Sequence, residues 1–186
     1  LRIALQKRQQ PLCELPEARS RFIQIIQQPQ MVKNAIVPMH QLGVLSAYFP
    51  AWQGITGLMQ FDMFHIYTVD EHTVRVMLKL ESFLDKQTKA IHPLCHQIFV
   101  ACTHKPLVYL AALLHDIAKG REGDHAENGA VDMYDFARLH GFDESQSKQM
   151  AWLVKEHLLM SITAQRRDIH DPEVVMTFAE NVQNRV

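Results

Sequence analysis

Residues 106–120 read PLVYLAALLHDIAKG, a helix-length run that stays apolar on nearly every side until it meets His115 and Asp116. A helix without a polar face has to be surrounded by other elements, so this segment is expected to form the middle of the fold. Pro106 suits a first helical turn, and Gly120 is a stop signal. Around it, helical periodicity recurs almost throughout the chain, and no segment alternates with the period of two that marks a strand. The expected architecture is all-α, a helical bundle.

Capping signals locate the other helices. ARSRFIQIIQQ, residues 17–27, follows Pro16 and reads as a first amphipathic helix, while residues 43–64 hold Gly and Pro breaks and read as short helices and loop. Thr68 and Glu71 have capping-box spacing. The helix they open carries Val69, Val76, Leu80 and Phe83 on one face, with His72 on that face near the first turn. Asp124 and Glu127 repeat the spacing before HAENGAVDMYDFARLHG, where His125 comes first and Gly129 and Ala130 allow close approach to a neighbour. Asp143 and Gln146 open the next helix, whose apolar face is Met150, Leu153, Val154 and Leu158, interrupted by His157. Asp171-Pro172 then places a cap before a last helix, which runs to the end of the sequence.

Composition narrows the function. The 186 residues suit one domain, or one domain with an extension, and 47% hydrophobic content supports an ordinary core. A net charge of −1 argues against a broad nucleic-acid footprint. No apolar run reaches the ~20 residues that span a bilayer, and no signal peptide opens the chain. An odd set of three cysteines without a CxxC fits a reduced, cytoplasmic setting. Leu1 at the start suggests a segment of something longer. Histidine, the commonest metal ligand, occurs eleven times.

Four helices thus each bring a histidine to an end or an apolar face, in the order His72, His115-Asp116, His125, His157. A helical bundle is the architecture in which they can converge. This order resembles the HD superfamily of metal-dependent phosphohydrolases, through EHTVRV and LLHDIAKG. HAENGA and VKEHLLM resemble the added ligands of members that hold two metals. Within that superfamily the chain is most similar to the HD domains of bacterial bifunctional uridylyltransferase/uridylyl-removing enzymes. The likeness rests on QPLC, FHIYTVDEHTVRVMLKLESF, AALLHDIAKGREGDH, AWLVKEHLLM and TAQRRDIHDPEVV, and covers almost the whole chain.

The resemblance implies residues 1–60 as an N-terminal helical extension on the core, and 61–186 as an HD domain truncated at its C-terminus. It implies His72, His115, Asp116, His125 and His157 as ligands of one or two divalent ions, with magnesium or manganese ahead of iron or zinc. Asp116 and Lys119 would be catalytic, Asp116 by bridging the ions and Lys119 by binding phosphate, with Arg121, Arg166 or Arg167 assisting. The substrate implied is a uridylylated tyrosine of the nitrogen-regulatory PII protein, cleaved to PII and UMP. Further partners implied are the nucleotidyltransferase and ACT domains of the same enzyme. A later aspartate that completes the family's first metal shell has no counterpart here, since Asp171 reads as a cap and Asp168 as a loop residue.

Plainer readings stand beside these. A histidine on an apolar face is often a hydrogen-bonded core residue, and Lys119 reads equally as a cation at a helix C-terminus. His65 reads as structural. His92, Cys95, His96, Cys102 and His104 are clustered, but their spacing matches no common structural zinc pattern, and packing cysteines are the expectation. Two other functions remain open: a generic HD phosphohydrolase of free nucleotides, and a catalytically incomplete HD domain that serves as a regulatory or PII-docking scaffold.

Overall fold

A computed structural model describes residues 5, 10–59 and 66–182, and the expectation for His65 falls outside them. The described residues form helices and turns, with no strand among them. In chain order the helices are α1 (Pro16–Ile26), α2 (Val37–Gln41), α3 (Val44–Tyr48), α4 (Pro50–Ile55), α5 (Val69–Ser82), α6 (Lys86–Ile91), α7 (Pro93–Ala101), α8 (Lys105–Leu114), α9 (His125–Leu139), α10 (Glu144–Lys155), α11 (Leu159–Arg166) and α12 (Pro172–Val182). A π-helical turn, Val32–Ile36, leads into α2.

The apolar helix is central, as its sequence demands. α8 packs on α10, α5, α9 and α1, and Leu107, Tyr109, Leu110, Ala111, Leu113 and Leu114 are all buried. Met77 of α5, Met133 of α9, and Met150 and Val154 of α10 complete the core around it. The α-helix stops at Leu114, earlier than Gly120. From there the chain tightens into three-residue turns, with Ile117 N–H donating to Leu114 O at 3.1 Å and Lys119 N–H to Asp116 O at 3.0 Å.

α9 and α10 form the largest helix pair. Asp124 caps α9 by accepting from the N–H groups of Ala126 and Glu127. Gly141, at φ +85°, makes the left-handed turn between the two helices. Asp143 and Gln146 form a complete capping box on α10. Gly129 lets α9 lie close: a Cβ there would sit 3.1 Å from Val154 Cγ1 and 3.7 Å from the His115 carbonyl.

Three details of the sequence reading change. Thr68 caps α5 with its backbone only, and Glu71 turns instead to Arg75 at 2.9 Å. The buried face of α5 is Val69, Asp70, Thr73, Val74 and Met77, rotated from the predicted row because both the π-helical turn and α8 pack on this helix. α10 ends at Lys155, so His157 and the exposed Leu158 lie past its end rather than on its apolar face.

Residues 10–59 are held to the later helices by directed contacts. Glu81 accepts from the backbone N–H groups of Val32 (2.8 Å) and Lys33 (3.1 Å). Phe22 stacks on Tyr48 at 4.3 Å between ring centroids, and Tyr48 is hydrogen-bonded to His140 Nε2. His140 Nδ1–H donates to Phe136 O at 2.7 Å, which leaves Nε2 to accept from the tyrosine hydroxyl.

That ring titrates with the fold. Burial, reinforced by the Arg19 charge, pushes the His140 pKa down to about 4 although a backbone hydrogen bond opposes it. The unfolded chain binds this proton near pH 6.5, so the contribution to stability is complete above that value. It is lost as pH falls toward 4, with an expected size of ~2 kcal/mol for a partly screened ring. Chemical denaturation of His140→Gln between pH 7 and 4 should show a flatter stability profile than the unaltered chain. An unchanged profile would assign the acid sensitivity elsewhere.

Candidate metal centre

The centre is built where the core helix ends. The packing that buries α8 also delivers His115 and Asp116 into the interior, 9% and 1% exposed. A buried carboxylate requires cationic or hydrogen-bonding neighbours; Asp116 has them at Oδ2, while Oδ1 has histidines near it and no hydrogen-bond partner. Oδ2 lies 3.1 Å from His115 Nε2, 3.0 Å from Lys119 Nζ and 3.8 Å from His72 Nε2. Oδ1 faces His157 Nε2 at 3.6 Å and His125 Nε2 at 3.8 Å.

Each histidine arrives from a different element. His72 stands in the first turn of α5, half-buried, and His125 opens α9 directly after its Asp124 cap. His157 follows the end of α10 and is tied back by Nδ1–H to Val154 O at 2.7 Å. His115 is tied in the same way to Ala112 O at 2.8 Å. With Nδ1 carrying the proton in both rings, each Nε2 presents a lone pair toward the carboxylate. The rings sit 5.2–5.5 Å apart in a chain His72, His115, His157, His125.

Two triads result, His72–His115–Asp116 and Asp116–His125–His157, each with its ligand atoms within 4.8 Å of one another. Asp116 belongs to both, one oxygen directed to each. Asp116 Oδ1 and His125 Nε2 are also buried without a hydrogen-bond partner. Imidazole lone pairs and a carboxylate oxygen converging on one spot need a cation to reconcile them. The donor set therefore fits divalent metal.

The electrostatics agree with that fit. Burial raises the cost of charge on Asp116, but His115, when it is protonated and donates through Nε2, overcomes it together with Lys119 and holds the carboxyl well below its usual range; a divalent ion at the same nitrogen takes the place of that proton. Burial pushes His157 down, toward the neutral form a metal ligand must have.

The five sequence-predicted ligands thus come together, with Lys119 on Asp116. Arg121 is turned away, in a two-pronged pair with Asp132 at 2.7 and 3.3 Å, and Arg166 and Arg167 are exposed. Asp168 and Asp171 serve local turns, accepting from His170 N–H and Glu173 N–H; neither joins a triad. Nor do His92, Cys95, His96, Cys102 and His104 gather as metal ligands among the described residues. His96 Nδ1 bonds to Phe83 O, and His92 faces Lys79.

Sequence reasoning missed Asp70. This buried residue accepts from Gly57 N–H at 3.1 Å through Oδ1, and its Oδ2 lies 3.8 Å from His40 Nε2. It locks the first turn of α5, two residues before His72, to the preceding segment. The only hint was an acidic residue at an otherwise inward-facing position.

Comparison with known proteins fits this geometry. A family model described as HD domain matches residues 69–185, and one described as Uridylyltransferase GlnD third domain matches residues 1–48. Over its whole length the chain is 64% identical to the bifunctional uridylyltransferase/uridylyl-removing enzyme of Haemophilus influenzae strain 86-028NP, covering 22% of that protein. It is 60% identical, with the same coverage, to the protein of that name from Pasteurella multocida strain Pm70. It is 51% identical to that of Aliivibrio fischeri strain MJ11, over 99% of this chain and 21% of the relative. The chain therefore spans about a fifth of the length of these relatives. From its central His-Asp pair and the match across residues 69–185, the chain belongs to the HD domain family.

Proposed function

We propose that this domain hydrolyses the phosphodiester between UMP and a tyrosine of the PII protein, using divalent metal held by His72, His115, Asp116, His125 and His157. The observation that carries the reading is the pair of triads sharing Asp116. The similarity to uridylyl-removing enzymes supports the choice of substrate. With two imidazoles for each carboxylate oxygen, the donor set suits manganese or another first-row ion better than magnesium.

The metal, when bound, supplies charge neutralisation at the phosphoryl oxygens and a water of lowered pKa. The protein's own groups do the rest. The backbone bonds of His115 and His157 aim each Nε2 inward and fix the tautomer, so the donors are preorganised. Asp116 keeps its negative charge while buried, which sets the charge of the centre. Lys119, 10% exposed and 3.0 Å from Asp116 Oδ2, stands at the centre's edge as a cation for a phosphate oxygen. A tyrosyl oxygen leaves with a reference pKa of ~10, which demands no strong general acid.

Metal removal tests this directly. The full-length polypeptide, stripped with chelator, should release UMP from uridylylated PII at least about a hundred-fold more slowly, and manganese should restore the rate. An unchanged rate in metal-free protein would refute the metal mechanism. Hydrolysis of free nucleotides but not of uridylylated PII would make this a nucleotide phosphohydrolase. PII binding without hydrolysis by metal-loaded protein would make it a scaffold.

A further inference from the structure

α6 and α7 carry a surface that the metal chemistry does not use. Ile91, Leu94 and Ile98 are 73%, 64% and 61% exposed. Of the nine residues of α7, only Phe99 is buried, against Phe83 and Tyr109. His96 anchors the same inner side through Phe83 O. Helical spacing then sets Leu94, Cys95, Ile98 and Ala101 together on the outer side, continuous with Ile91 at the end of α6. Apolar patches of this kind on a soluble domain mark an interface.

Hydrogen bonds hold one end of the patch. Lys105 Nζ donates to Val100 O (3.0 Å) and Cys102 O (2.6 Å), bracing the corner where α7 and α8 meet at 115°. Its charge is mainly positive: past Asp85, the exposed cap of α6, the sequence holds no Asp or Glu as far as His115, and Lys86 and Lys89 precede Ile91 on α6. A complementary occupant has an apolar centre and an acidic rim. The position is remote from the histidines, because α8 begins beside α7 and runs ~15 Å before it reaches His115. A permanent neighbour here leaves the metal centre open.

We infer that the outer face of α6–α7 is the seat of another domain of the same polypeptide, one with an apolar patch rimmed by carboxylates. The relatives argue for this occupant, since the chain spans 22% of their length and most of such a polypeptide must be placed around it. The inference does not depend on the metal reading.

Cys95 is an exposed thiol in the middle of the patch, whereas Cys13 is buried and Cys102 half-buried. In the full-length polypeptide, maleimide labelling of Cys95 resolved by peptide mass spectrometry should run at least about tenfold slower than in a free peptide of residues 86–97. The double variant Leu94→Glu, Ile98→Glu should restore the free rate with metal content unchanged, which separates this result from failure of the metal reading. The unaltered protein decides alone if that variant does not fold. Free-rate labelling of the unaltered protein would overturn the inference. So would protection that vanishes on dilution, which indicates a second copy. Protection that appears only with phosphatidylserine vesicles would also overturn it, as a membrane surface.

Discussion

Asp116→Ala in the full-length polypeptide is expected to eliminate uridylyl removal from PII while leaving uridylyl addition largely intact. The residue is the only one common to both triads, so its loss deprives each of its carboxylate oxygen and leaves four imidazoles facing one another. Metal binding to neutral nitrogens alone would be weaker, and Lys119 would lose the partner that holds its ammonium 3.0 Å away. The expected fall in removal is at least about a thousand-fold, the scale of losing the charge-stabilising device at a hydrolytic centre. Addition would be spared because it belongs to a separate nucleotidyltransferase domain of the proposed whole enzyme. Assaying both reactions on one preparation, with folding verified by circular dichroism, makes the comparison internal. Equal loss of both activities in a folded variant would contradict the division of labour.

His115→Ala should have the second-largest effect, and a different pattern. It removes one nitrogen of the His72–His115–Asp116 triad and leaves Asp116–His125–His157 with its donors. The first position should lose its ion, while the second retains one more weakly because Asp116 is less firmly oriented. If each triad holds one ion, bound metal should fall by about half, in contrast to near-complete loss in Asp116→Ala. Full retention of metal by His115→Ala would show that the HD pair is not a ligand pair.

Much of this centre could be read from the residues because its parts are local. The His115-Asp116 pair ends a helix whose apolar run leaves it nowhere to go but inward. The caps at Asp124 and Asp143 place His125 and α10 correctly, since capping acts over three residues. What could not be read was long-range. Asp70 bonds to Gly57 and approaches His40, 13 and 30 residues away, and no periodicity encodes that. The buried face of α5 departs from its apolar stripe because packing on two sides decides it. The Thr68 box gave way to the Glu71–Arg75 pair, as a solvent-exposed glutamate has a cation one turn ahead. Arg121 looked available for phosphate until α9 supplied Asp132.

The central claim is that these five side chains hold metal. Its most direct measurement is elemental analysis of the purified chain, joined to anomalous scattering from a crystal grown with manganese. The account predicts at least one ion, with a peak within about 2.0–2.3 Å of an Asp116 oxygen and of Nε2 from His72 and His115, or from His125 and His157. A metal-loaded crystal whose anomalous peaks all lie away from Asp116 would contradict it.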